Sequence, residues 1–257
     1  MMPILNIGPL AIRLPGLLLI VGIYLGLWLA ERYSPRYRIQ PNTLYNIVFI
    51  ALIFGILGAR LFYILRFPEV FTGNLTSIVS LNYSMLDPLG GIITTSLSCL
   101  IYGQRKNLPF WSTLDALTPI LAVFAISLGA AHFSSGSAFG MVTDLPWGIE
   151  LWGAKRHPSQ IYEVIAASLV LFALFPTWKY ISRLNSGNYF LLFSVLTSTN
   201  YLFLEAFRGD SFLLPGGFRL TQVITLATLI ASIFLIKMKL AQEENHISSA
   251  LEDTSIK

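Results

Sequence analysis

Uncharged apolar runs recur from one end of this chain to the other, and no other feature narrows the possible folds so far. The run LPGLLLIVGIYLGLWLA, Leu14–Ala30, carries no charge and lies between Arg13 and Glu31. Inside a bilayer every backbone N–H and C=O must find a partner within the protein, and an α-helix achieves that alone. Seven segments of this kind can be marked. They are Leu14–Ala30, about Leu44–Leu65 with Arg60 interrupting it, about Pro88–Gly103, a fourth that starts after Asp115 and ends near Phe133, Ile161–Trp178, about Gly187–Leu204, and Leu220–Ile236. Several lie near the short end of a span, roughly 17 residues. Charged residues make up only 12% of the chain, where a soluble domain carries about 25%, and the mean hydropathy is +0.67. The expectation is an all-α integral membrane protein with seven transmembrane helices. Residues 1–239 are expected to form the membrane domain and 240–257 a polar tail. The first run is too long for the apolar core of a signal peptide and is expected to stay in the membrane.

Orientation follows from the distribution of Lys and Arg. With the N-terminus outside, the inner loops are short and basic, carrying Arg32, Arg36, Arg38, Arg105 and Lys106, with Lys237 and Lys239 after the last run. The outer cations are fewer and are matched in number by acids such as Glu69, Asp87 and Glu150. The expected topology is N-terminus out, C-terminus in. A pI near 9.2 then reflects inner loops beside anionic lipid and implies no nucleic acid. The lone Cys99 excludes a disulfide framework and most thiolate metal sites. It reads as a small buried hydrophobe. No HExxH and no pair of intramembrane aspartates is present, so those intramembrane protease chemistries have no support. His246 lies in the polar tail and is given no function.

Polar groups gather at the expected outer face. Arg60 within GARLFYIL is costly in hydrocarbon and must either face the protein interior or snorkel to the headgroups. In KRHPSQIYEV, Pro158 suits the first position of a helix with His157 as its cap, and Ser159, Tyr162 and Glu163 share a face. Backbone N–H groups at that helix mouth, beside Arg156 and His157, would suit a lipid phosphate. Simple capping and hydration is the alternative. Glu205 and Arg208 in LEAFRGD stand at i, i+3, where they can pair with each other or address a head group. Ser135 and Ser137 lie near His132 in the sequence, as a serine hydrolase would require, but short Gly/Ser turns between spans are common.

Several of these blocks resemble the prolipoprotein diacylglyceryl transferases. RHPSQIYE resembles the family's HPSQLYE block. NIGPLAIRLPGLLLIVGIYLGLWLA resembles its N-terminus and GARLFYIL its second-span motif. Gly90–Gly91, VTDLPWG and LEAFRGD match in order, followed by Gln222, so the likeness covers about residues 5–236. The resemblance implies seven spans around a lipid-accessible cavity in the bacterial cytoplasmic membrane. It also implies transfer of the diacylglyceryl group of phosphatidylglycerol to a lipobox cysteine of a preprotein, with no cofactor. The candidate head-group contacts in this chain are Arg60, Arg156, His157, Gln160, Tyr162, Glu163 and Arg208, and the catalytic candidates are His157, Glu205 and His132.

Other positions depart from the family pattern. Aligned on Phe133, Gly136 and Gly140, the segment LGAAHFSSGSAFGM puts Gly129 and Met141 where the family carries arginines. His132 and Ser135 stand on its asparagines and Ser137 on its glutamate. Leu89 replaces the histidine of its His-Gly-Gly, Tyr201 replaces a further arginine and Pro15 a tyrosine. A desolvated phosphate without its cations is expensive, and removing one electrostatic stabiliser costs about 10²–10³ in rate. The departures point to an impaired transferase or to a non-catalytic relative that binds lipid or a partner protein.

Overall fold

The computed structural model describes residues 4–7, 10–72, 85–175 and 184–255, with side chains described from Arg13 to Gln242 within those ranges. The far end of the fifth expected segment and the side chain of His246 lie outside the described residues. In chain order the elements are strands β1 (Ile4–Ile7) and β2 (Leu10–Arg13), then helices α1 (Leu14–Tyr33), α2 (Pro41–Arg66), the short α3 (Glu69–Thr72), α4 (Pro88–Arg105) and α5 (Phe110–Ser135). Strands β3 (Ile149–Leu151) and β4 (Ala154–Arg156) follow, then α6 (Ser159–Ala173), α7 (Asn188–Leu204) and α8 (Leu220–Ser255). Each of the seven expected segments falls on one of these helices. Five of them, α1, α2, α5, α7 and α8, are long and apolar enough to cross a membrane. The other two, α4 and α6, are helices of 18 and 15 residues. Large apolar side chains such as Leu57, Leu65, Ile230 and Phe234 are more than half exposed, the reverse of a water-soluble core. The chain is an all-α integral membrane protein, with two small hairpins among the described residues.

Two compact units divide it, one of Met1–Tyr33 with Leu114–Lys257 and one of Ser34–Thr113. In the first, α1 packs on α5 through Gly22 and Gly26, where an added Cβ would meet Ser127 and Ile120. Small residues let membrane helices approach closely. The helices α5, α6, α7 and α8 alternate in direction. At one end the Tyr189 hydroxyl donates to the Leu174 carbonyl at 2.7 Å and Lys239 Nζ to the Ser186 carbonyl at 2.7 Å. At the other end the close of α5, the start of α6 and the close of α7 meet. The start of α5 differs from expectation. It begins at Phe110, and Asp115 lies within the helix, buried, where it serves α7 rather than marking a membrane edge.

In the second unit α2 and α4 run antiparallel. Thr94 and Thr95 on α4 donate to the carbonyls of Phe54 and Ala51 on α2, at 3.0 and 3.2 Å. Asp87 caps α4 by accepting from the Gly90 N–H at 2.8 Å and pairs with Arg66 at 3.2 Å. The Gly90 N–H, seconded by Arg66, holds the Asp87 carboxyl below its ordinary value of 3.8. Arg60 donates to the Met85 carbonyl at 3.0 Å and lies over the Phe71 ring. Those contacts are with protein, in keeping with the cost of a charge inside a span.

Candidate functional site

The site is framed by backbone before any side chain enters it. Residues Leu151 and Ala154 pair across a two-residue turn, Trp152–Gly153, in which both residues have positive φ (55° and 74°). That is the turn geometry that suits a tight hairpin. It brings Arg156 and His157 beside the segment after α5. There the His157 N–H donates to the Met141 carbonyl at 3.0 Å and the Thr143 N–H to the Lys155 carbonyl at 2.9 Å. From the other side the Met141 N–H donates to Phe207 and the Gly209 N–H to Phe139, both at 2.8 Å. Residues 139–143 are thus laced between the start of α6 and the turn after α7. The fit leaves no room for side chains at Gly140, against the His157 backbone, or at Gly209, against the Gly140 carbonyl.

The helix mouth differs by one residue from the sequence expectation. Pro158, not His157, precedes the first helical residue, because its ψ of 60° is not helical. The groups around it are turned largely to the protein. Arg156 donates from Nε to the Leu151 carbonyl at 3.1 Å and from Nη1 to the Gly140 carbonyl at 3.3 Å, over the Phe139 ring. Ser159 donates to Ala138 at 2.6 Å, and Gln160 to Ser137 at 2.9 Å. Tyr162 accepts from Trp147 Nε1 at 2.8 Å. The His157, Tyr162 and Phe207 rings pack edge to face around one another, with His157 Nδ1 buried and unpartnered among the described residues.

Glu163, one turn into α6, is the hub. Its Oε2 meets His132 Nδ1 of α5 at 2.8 Å, and its Oε1 accepts from the Tyr201 hydroxyl of α7 at 2.7 Å. Three helices therefore meet on one carboxylate that is only 7% exposed. Sequence reading weighed His132 and Glu163 separately and treated Tyr201 only as a lost arginine. Ser135 and Ser137 bond to each other at 2.6 Å, and among the described residues no hydrogen bond joins either hydroxyl to the His132 ring.

Beyond Tyr201, Glu205 and Arg208 complete the polar end. Arg208 Nη1 lies 3.7 Å from Glu205 and its Nε 3.1 Å from Asp210. Glu205 is 1% exposed, and neither carboxylate oxygen has a hydrogen-bond partner among the described residues. Arg219, just before α8, clasps the turn by donating to the carbonyls of Glu205 and Arg208. That role went unnoticed in the sequence, where Arg219 is one more cation in a polar loop.

Below this polar end runs a narrow apolar cleft of about 20 Å³ between α5, α6 and α7, walled by residues such as Ala122, Ala125, Ala166, Val170 and Phe193 and ending at Glu163 and Tyr201. A neighbouring cavity of about 10 Å³ is lined by Glu163, Tyr201, Glu205 and Arg208. Each space is about the size of one water, and together they join an apolar wall to a charged end. Among the described residues no group of three His, Cys, Asp or Glu could hold a metal ion. Of the expected head-group residues, Gln160, Tyr162, Glu163, Arg156, His157 and Arg208 gather in this unit, and Arg60 belongs to the other.

Comparison with known proteins matches residues 3–238 to the family model described as prolipoprotein diacylglyceryl transferase. A phosphatidylglycerol–prolipoprotein diacylglyceryl transferase of Finegoldia magna is 32% identical over 87% of this chain and 90% of the relative. One of Clostridioides difficile is 32% identical over 91% of this chain and 93% of the relative. One of Streptococcus pneumoniae is 29% identical over 90% and 91%.

Proposed function

The chain belongs to the prolipoprotein diacylglyceryl transferase family, and from that premise we propose that it moves the diacylglyceryl group of phosphatidylglycerol to the cysteine thiol of a preprotein in the bacterial cytoplasmic membrane. The observation that carries this reading is the meeting of His132, Glu163 and Tyr201 beside Glu205 and Arg208, at the end of an apolar cleft. The positions where polar family side chains are replaced are not all inert. His132 and Tyr201 are joined through Glu163. The phosphate approaches Arg208. In the transfer a carbon–sulfur bond forms to the glyceryl carbon. The carbon–oxygen bond to phosphate breaks, and glycerol phosphate leaves with the electron pair. Arg208 is placed to meet the charge that develops there. The N-terminus lies outside and the C-terminus in the cytoplasm, which puts this site on the outer side where a secreted preprotein arrives.

A second reading, a relative that binds lipid without turning it over, is favoured by Gly129. A Cβ added there would lie 2.9 Å from Val164 Cγ2, so α6 occupies the space an arginine would need. One experiment separates the two. Purified chain in detergent is mixed with phosphatidylglycerol and a lipobox peptide, and glycerol phosphate is followed over time. Release with a matching mass gain on the peptide supports the transferase. Retained lipid without release supports the binding protein.

A further inference from the structure

We propose that His132 is the proton acceptor for the attacking thiol in this chain, held for that task by Glu163 and Tyr201. The assignment rests on the transferase reading and names a residue for its chemistry. Glu163 Oε2 lies 2.8 Å from His132 Nδ1. With the carboxylate ionised, that contact places the ring proton on Nδ1 and the lone pair on Nε2, the nitrogen turned from the carboxylate. The carboxylate is itself fixed, because its other oxygen accepts from Tyr201 at 2.7 Å. A base oriented by a third group, which is oriented in turn, is the arrangement that activates a nucleophile.

Two further features suit a proton acceptor better than a strut between helices. The His132 side chain is 25% exposed while the Glu163 side chain is 9% exposed, so the ring is reachable and its anchor is not. His132 also lies in the last turn of α5, at the end of the helix where the polar groups gather. A strut could be made from neutral amides without burying a carboxylate in a membrane protein. The charged groups that face the ring are Glu163 from α6 and, beyond it, Arg208 and Glu205 after α7, with the Tyr201 hydroxyl on Glu163.

The step balances. Nε2 takes the thiol proton as sulfur attacks the glyceryl carbon. The carbon–oxygen bond breaks toward phosphate, and the imidazolium returns its proton to the leaving glycerol phosphate. Glu163 and Tyr201 are positioning residues, since neither meets the thiol.

The test uses the full chain in vesicles of phosphatidylglycerol and phosphatidylethanolamine, with His132→Asn and His132→Gln. Both amides can still donate to Glu163 but cannot accept a proton. Glycerol phosphate release should fall by about 10²–10⁴ with phosphatidylglycerol retention unchanged, and the acid limb of the wild-type pH profile should vanish. A second measurement needs no turnover. The peptide thiol is alkylated with iodoacetamide while bound to the chain without phosphatidylglycerol, and wild type should accelerate alkylation over both variants. Variants that turn over within about threefold of wild type overturn the assignment. So does an alkylation rate equal in wild type and variants. Wild type that speeds alkylation but releases no glycerol phosphate leaves the base in place and removes the transferase reading.

Discussion

Asp115 on α5 accepts a hydrogen bond from the backbone N–H of Phe190 at 2.8 Å, so one membrane helix supplies the cap of another. The second oxygen of the same carboxylate takes the N–H of Gly187, whose φ of 89° turns the chain into α7. The start of α7 has no side-chain cap at Gly187, and Asp115 supplies one from outside the segment. Replacing Asp115 with Ala removes a cap and leaves buried donors unsatisfied. The expected loss is about 2 kcal/mol. Asp115→Asn, which keeps one acceptor, should lose about half of that. Thermal unfolding in detergent measures both.

Gly129→Arg brings in the residue type expected from the family pattern, yet it should not raise turnover. A Cβ at this position would lie 2.9 Å from Val164 Cγ2 and 3.1 Å from the Val164 nitrogen. Overpacking of this kind costs about 1–3 kcal/mol, and the strain falls next to Glu163. A lower melting temperature with less retained phosphatidylglycerol is the expected outcome. A gain in turnover at unchanged stability would show that α6 yields.

Arg156 and Arg208 should separate cleanly. Arg156 is turned to two carbonyls and a ring, so Arg156→Ala should loosen the hairpin and lower stability while lipid stays bound. Arg208 lines the polar cavity, and Arg208→Ala should weaken phosphatidylglycerol binding about 10- to 100-fold. Native mass spectrometry of the two purified variants reads the difference directly.

The second unit should respond to acid through Asp87. Its folded-state pKa is depressed, so the capping contribution is complete above the unfolded value of 3.8 and is lost as pH falls through the lower folded value. Wild type should therefore lose melting temperature on acidification below about pH 4. Asp87→Asn, which carries no titrating group there, should show a smaller dependence.

Reporter fusions after Lys106 and after Lys239 should report cytoplasm, and fusions within 144–156 should report the outside. The reverse result at either inner site would invert the proposed topology.

The helices were readable because a span needs length and apolarity, and both are local properties. The block HPSQIYE and the spacing of Glu205 and Arg208 were readable for the same reason. What escaped were the contacts between helices. Tyr201 looked like a missing cation until α7 placed its hydroxyl on Glu163, and Asp115 looked like a membrane edge until it met the start of α7. A helix that shows apolar side chains to lipid on most sides carries little periodic signal of which face meets which neighbour. Arg156 is a further case. The sequence shows its charge, and the hairpin adds that Nε and Nη1 donate to the carbonyls of Leu151 and Gly140.

The lacing of residues 139–143 between the start of α6 and the turn after α7 consists of peptide groups bonded to peptide groups. Such bonds are indifferent to most side chains and constrain the sequence chiefly where the backbones touch, at Gly140 and Gly209. Mutation can exchange the chemistry held in this frame, one residue at a time, without passing through a state in which the frame itself has collapsed. A lineage carrying it is free to drift among catalytic solutions, and members with unlike residues around one carboxylate can descend from a single ancestor by steps that each leave a folded protein.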